Sequence, residues 1–168
     1  MKRLFLLISI TTAALFSSYD LKAEAPERQG WKSDFPLYGD VESVVMTQYE
    51  LEEKFGEFVR GDVQCCYKYY FNDAGDVIEE AGYDSYGSLW YKYIYKYDSM
   101  GNVIELALCE SDGSLFEKGI YKYDSSGNMI EWALYYSDGS LDYKNIYKYD
   151  SLGNKIEEAW YDSDGSLL

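Results

Sequence analysis

The 168-residue chain has no histidine, two prolines and three cysteines, and its 15 Lys+Arg are outnumbered by 30 Asp+Glu. Each shortage excludes something. Without histidine there is no imidazole base, no imidazole metal ligand and no Ser-His or Cys-His nucleophile. A net charge of −15 argues against a nucleic-acid partner, because phosphate backbones are held by clustered Lys and Arg. Beyond the N-terminal residues no apolar run reaches the ~20 residues that span a bilayer as a helix. The cysteines do not amount to a disulfide framework. Cys65 and Cys66 are adjacent, and neighbours on a strand point to opposite faces, so one thiol at least stays unpaired within the monomer. A bridge from Cys65 to Cys109 needs a sheet that closes on itself.

Aromatic residues are abundant: 20 Tyr, 7 Phe and 4 Trp make 18% of the chain. Such a composition favours strands and excludes disorder. The N-terminus reads as an address. Lys2 and Arg3 precede an apolar run from Leu4 to Phe16, and Ala23-Glu24-Ala25 supplies a small-x-small cleavage pattern. The expectation is a signal peptide over 1–25, cleaved on export, with no membrane span afterwards and a secreted, periplasmic or cell-surface location. Residues 26–40 hold both prolines and read as a linker or irregular cover, followed by a β-hairpin repeat domain over 41–168.

Repeats decide the fold class. Gly75, Gly101, Gly127 and Gly153 are spaced by 26 residues, and so are Gly87, Gly113, Gly139 and Gly165. A fixed period of this size marks a repeat architecture. Within it Tyr91, Tyr93, Tyr95 and Tyr97 alternate with Trp90, Lys92, Ile94 and Lys96, a strand period and not a helical one. Each unit is thus a hairpin plus the turn to the next. The expected fold is all-β: an antiparallel meander of hairpins from about four 26-residue repeats, in a single curved or partly open sheet. Val41 to Glu52 reads as the first strand, joined to Val63–Asn72 through a loop holding Gly56 and Gly61. The last strand, Asn154 to Asp162, is then an open edge through which the chain can pair with another.

The turns are specified more closely. Asp112-Gly113 and Asp138-Gly139 suit a two-residue type I′ turn, but Tyr86 and Leu152 stand at the same position elsewhere and resist the positive φ that it demands. A type I turn followed by a left-handed glycine fits all eight copies. It sets Asp98 opposite Asn102 and Glu110 opposite Ser114. Continued along the strands, that register predicts Tyr95 opposite Glu105, Tyr121 opposite Glu131 and Tyr147 opposite Glu157.

The Tyr-x-Tyr-Asp-x-x-Gly-Asn core at 95–102, 121–128 and 147–154 resembles the bacterial YD-repeat (Rhs-type) proteins, over roughly 63–168. In that family long arrays build hollow shells around toxin domains. With about four units and no toxin-like C-terminal domain, the resemblance here implies the strand–turn–strand unit alone, as a short exported array.

The column Glu79, Glu105, Glu131 and Glu157 offers carboxylates, but four equivalent copies lack the asymmetry that raises one acid's pKa for glycoside hydrolysis. Asp162-Ser163-Asp164-Gly165 lacks the bidentate glutamate of a calcium loop. No catalytic residue, metal site or cofactor is therefore expected, and the chain is not expected to be an enzyme. The expected binding surface is an exposed aromatic face of Tyr91, Tyr93, Tyr95, Tyr121, Tyr147, Trp90, Trp132 and Trp160. Tyrosine combines contact area with a hydroxyl and few rotatable bonds. The expected function is a structural or protein-interaction module, or alternatively a carbohydrate or cell-wall binder through that face.

Overall fold

A computed structural model describes Gly30, Asp34 and residues 40–168. The expected signal peptide over 1–25 and most of the expected linker lie outside the described residues. Among those described, every element is a strand: β1 (Ser43–Lys54), β2 (Glu57–Phe71), β3 (Val77–Asp84), β4 (Leu89–Tyr97), β5 (Val103–Cys109), β6 (Leu115–Tyr123), β7 (Met129–Tyr136), β8 (Leu141–Tyr149) and β9 (Lys155–Tyr161). They form one open sheet in chain order, an antiparallel hairpin meander. The chain divides into two compact units. The first holds the described residues up to 93 together with 110–113, and the second holds 94–109 and 114–168.

The eight lattice glycines have φ between 82° and 87°, which a side chain resists and glycine does not. In the second unit Gly127 N donates to Asp124 O (3.1 Å) and Asp124 N to Asn128 O (2.9 Å), with the same pair at Asp98 and Asp150. This is the expected type I turn with a left-handed glycine. The aspartate locks it. Asp124 Oδ1 accepts from the backbone N–H of Ser126 (2.8 Å) and Asn128 (2.9 Å), and Oδ2 accepts from Asn128 Nδ2 (2.9 Å). The first copy exchanges the two residues: Asn72 Oδ1 accepts from Asp76 N (2.9 Å), and Asn72 Nδ2 donates to Asp76 Oδ2 (3.4 Å).

The predicted register along the strands is off by one. Tyr123 pairs with Met129, but the next pair is Lys122 with Glu131 and then Tyr121 with Trp132. Ile130 is an extra residue, a β-bulge that shifts the side-chain parity by one. The same shift leaves Ile78, Phe116, Asp142 and Ile156 unpaired in their hairpins. Glu131 and Glu157 thus face Lys122 and Lys148, not Tyr121 and Tyr147. Glu105 is ion-paired with Lys96 at 2.8 Å, on the face away from Tyr95.

The first hairpin also differs from expectation. Lys54 pairs with Glu57 around Phe55 (φ 58°) and Gly56 (φ 82°), a two-residue turn of the I′ kind. Gly61 lies inside β2 and not in a loop. A Cβ there would come within 2.8 Å of the Glu52 carboxylate, so the bare backbone makes room for that side chain.

Candidate functional site

The bulges gather one aromatic face in the second unit. Tyr121 opposes Trp132, Trp132 opposes Asn145, and Asn145 opposes Trp160 on its other side. Trp132 and Asn145 have no exposed surface, Tyr121 keeps 2% and Tyr147 4%. Tyr143 meets the Trp132 ring edge-on at 4.9 Å, a geometry that the ring quadrupoles favour. Gly119 supplies the room: a Cβ there would stand 3.0 Å from the Tyr121 hydroxyl and 3.2 Å from Trp132 Nε1. Burial pushes the Tyr121 phenol well above its usual range. Asn145 Nδ2 donates to the Tyr147 hydroxyl at 3.1 Å. Trp132 Nε1 and Asn145 Oδ1 are buried without a hydrogen-bond partner.

The first unit has its own aromatic group. Tyr91 OH donates to Glu80 Oε1 at 2.8 Å, and the Tyr91 and Tyr93 ring centroids are 5.4 Å apart. Gly82 lies beneath Tyr91, whose Cε1 would be 2.5 Å from a Cβ at that position. Burial, then the Glu80 charge, push the Tyr91 phenol far upward, so it stays a neutral donor. Cys65 Sγ lies 3.3 Å from the Tyr67 hydroxyl and 3.4 Å from Gln48 Oε1. None of the three cysteines is in a disulfide.

These positions correct the expected binding face. Tyr93, Tyr95, Tyr121, Tyr147 and Trp132 are buried, and Tyr91 is half-buried. The bulge that turns the glutamates away from the tyrosines brings apolar side chains to their side, and that face becomes core. Tyr121 and Trp132 are opposed within it and Tyr147 joins them through Asn145, whereas Tyr91 and Tyr93 belong to the group in the first unit. Only Trp90 (66% exposed) and Trp160 (42%) remain as accessible platforms.

Two open grooves in the second unit were missed by sequence reasoning. One, of about 720 Å³, is lined by residues that include Asp98, Met100, Ile104, Tyr123 and Ile130. The other, of about 660 Å³, is lined by residues that include Asp124, Ile130, Tyr149, Asp150 and Leu152. Most of these residues match at 26-residue intervals, and Asp124 and Ile130 belong to both grooves. They are one feature repeated along the array. The signal was present in the sequence: Ile78, Ile104, Ile130 and Ile156 each follow a turn by the same interval, and the bulge turns that position out of the core.

Charges around the grooves are arranged in pairs. Lys122 meets Glu131 and Lys148 meets Glu157, both at 2.8 Å. Side-chain hydrogen bonds from Asn102, Asn128 and Asn154, then backbone N–H groups, hold the Asp98, Asp124 and Asp150 carboxyls below the usual carboxylate range. Burial beside the Asp98 charge pushes the Tyr123 phenol up to about 12, and its hydroxyl donates to Val103 O at 2.9 Å. Tyr149 repeats the bond to Met129 O at 2.8 Å. Among the described residues no cluster of three or more Cys, Asp or Glu is placed to hold a metal ion, and no helix is long and apolar enough to cross a membrane.

No family model matches the chain, and no curated protein matches it. Among solved structures the chain is similar to "Crystal Structure of TcdB2-TccC3-Cdc42", with 16% identity and a TM-score of 0.35 over 62% of this chain and 6% of that one. It is also similar to a porin-like protein from Bacteroides uniformis ATCC 8492, with 12% identity and a TM-score of 0.35 over 75% of this chain and 48% of that one. The chain spans less than half the length of either.

Proposed function

We propose that the protein is a short, exported YD-like repeat array that acts without catalysis, as a protein-interaction module at the cell surface or in the periplasm. The observation that carries this reading is the pair of equivalent, solvent-open grooves one repeat apart. A surface duplicated with the backbone period suits an extended partner, whereas a reaction centre needs one distinct group. The glutamate column supports the same reading, since Glu79, Glu105, Glu131 and Glu157 are each ion-paired with a lysine. The relation to YD-repeat proteins rests on the Tyr-x-Tyr-Asp-x-x-Gly-Asn motifs. A second copy of the chain is another candidate partner, through β9. Lys155 and Glu158 weaken that pairing, because they stand where Met129 and Trp132 stand in β7.

The alternative is carbohydrate binding, and the exposure of Trp90 and Trp160 favours it. The test is retention of the full chain on isolated cell envelope and on insoluble polysaccharides. Retention on envelope that is lost with Ile130→Ser and kept with Trp90→Ala supports protein interaction through the grooves. Retention on polysaccharide that is lost with Trp90→Ala moves the function to the second reading.

A further inference from the structure

The two grooves repeat across two strands, so equivalent points are separated by two inter-strand spacings, about 9.5 Å. A polyproline II helix advances about 9.3 Å in each three-residue turn. The match fixes a phase: every third residue of such a segment meets the same groove element. We propose that this furrow binds a basic, proline-rich polypeptide in the polyproline II conformation, laid across the strands from the Asp98 turn to the Asp150 turn.

Three properties of the furrow select this occupant. Aliphatic side chains recur along it, with Ile104 and Ile130 at the centre and exposed Met100 and Leu152 at the ends. Prolyl rings and side-chain stems fit against them. Sugar rings need open aromatic faces; of the tyrosines that line the grooves, Tyr121 and Tyr147 keep only 2% and 4% of their surface, and Tyr123 and Tyr149 are half-buried with their hydroxyls already bonded to Val103 O and Met129 O. Its charge is negative: Asp98, Asp124 and Asp150 recur along the lining, and Lys122 and Lys148 are already held by Glu131 and Glu157. The occupant's cations therefore have carboxylates to meet in a chain of net charge −15. Finally, a polyproline II backbone makes no internal hydrogen bonds, so its carbonyls are free to accept from the hydroxyls of Ser99, Ser125 and Ser151 beside the grooves.

The proposal rests on the reading of the protein as an interaction module and names the partner's chemistry. The test uses the full chain and three labelled twelve-residue peptides, read by fluorescence anisotropy. One has four Arg-Pro-Pro triplets, one four Arg-Gly-Ser triplets, and one the same four arginines and eight prolines ordered so that the arginines are out of phase. The first should bind at least about tenfold more tightly than either of the others, and its affinity should fall as salt is added. Ile130→Ser, which removes the wall common to both grooves, should weaken it roughly tenfold. Leu152→Ser and Met100→Ser, each exposed and in one groove only, should each weaken it by a smaller factor and keep the test valid if Ile130→Ser does not fold. Equal binding of the three peptides would reduce the effect to charge attraction and overturn the proposal. So would no binding at all, or binding indifferent to all three substitutions. A soluble linear glycan that binds in an Ile130-dependent manner would overturn the choice of a polypeptide. Envelope retention without peptide binding refutes this proposal alone, while peptide binding without envelope retention refutes only the location.

Discussion

Strands β7 and β9 are 26 residues apart and occupy the same place in successive repeats, yet their fates differ. β7 has Met129, Trp132, Ala133 and Leu134 buried, whereas no residue of β9 is buried. β7 lies between β6 and β8, whereas among the described strands β9 has β8 as its one neighbour. The sequence differs to match: Lys155, Glu158 and Trp160 replace Met129, Trp132 and Leu134. Both strands keep the isoleucine at the bulge and the glutamate that pairs with lysine. The repeat therefore encodes hairpin, turn and bulge, and the intervening face positions encode whether a strand is interior or edge. A charge aimed at the core face marks an edge strand, because it makes pairing with a further strand costly.

The largest expected difference between the two strands lies in their tryptophans. Trp132→Ala should cost about 3–5 kcal/mol, since it empties a fully buried site that Gly119, Tyr121 and Tyr143 are shaped around. Trp160→Ala should cost less, about 1–2 kcal/mol, as 42% of the residue stays exposed. Denaturant unfolding of both variants checks the contrast, and equal losses would mean that β9 is covered in solution. The turn glycines should erase the difference. Gly127→Ala and Gly153→Ala both place a side chain at φ near 84°, in open space at Gly127 and in ordinary contact with Asn128 Oδ1 (3.8 Å) at Gly153, so each should cost about 1–2 kcal/mol. A much smaller loss at Gly153 would show that the edge hairpin is frayed before it unfolds.

Much of this was legible in the sequence, and the part that was not has a single cause. Glycine spacing gave the period, and Tyr86 and Leu152 excluded the tighter turn; the structure has the three-residue turns at each lattice glycine. What alternation did not reveal was Ile130 and its equivalents, because a bulge residue is an ordinary β-branched side chain and leaves no break in the pattern. One unpaired residue moved Glu131 from Tyr121 to Lys122, and with it the tyrosine ladder from surface to core. The binding face expected from the ladder was lost by that step, and the furrow at the bulges was hidden by the same step. The first hairpin failed differently: Phe55 adopts positive φ, which no propensity of phenylalanine announces.

The edge can be converted. Lys155→Met with Glu158→Trp restores the interior residues of β7 in β9 and removes the ion pair between Lys155 and Glu158, 2.6 Å long. The double variant should associate with rising concentration, while the unaltered chain associates less or not at all in the same range; sedimentation velocity reads the difference. A variant that stays monomeric would mean that the C-terminal residues already guard the edge. Leu167 bridges to Tyr161, and Leu168 N donates to Trp160 O at 2.8 Å.

The smallest effect belongs to the turns and is shared by interior and edge hairpins. Asp98, Asp124 and Asp150 have carboxyls held below the ordinary aspartate value of 3.8 by the asparagine side chain four residues on and by backbone N–H groups. A carboxyl depressed in the folded state stabilises fully above its unfolded value, and that contribution is lost as pH falls through the lower folded one. Thermal stability should therefore decline as pH drops below about 4. These turns are open to solvent, so the decline should be shallow. Asparagine keeps the Oδ1 acceptor and loses the charge, and Asn72 does this in the first copy, where Oδ1 accepts from Asp76 N. Replacing Asp98, Asp124 and Asp150 with Asn should flatten the acid limb of a melting-temperature profile and lower the value at pH 7 slightly, because Oδ2 no longer accepts from the asparagine amide four residues on. An unchanged acid limb would show that these turns do not carry the decline.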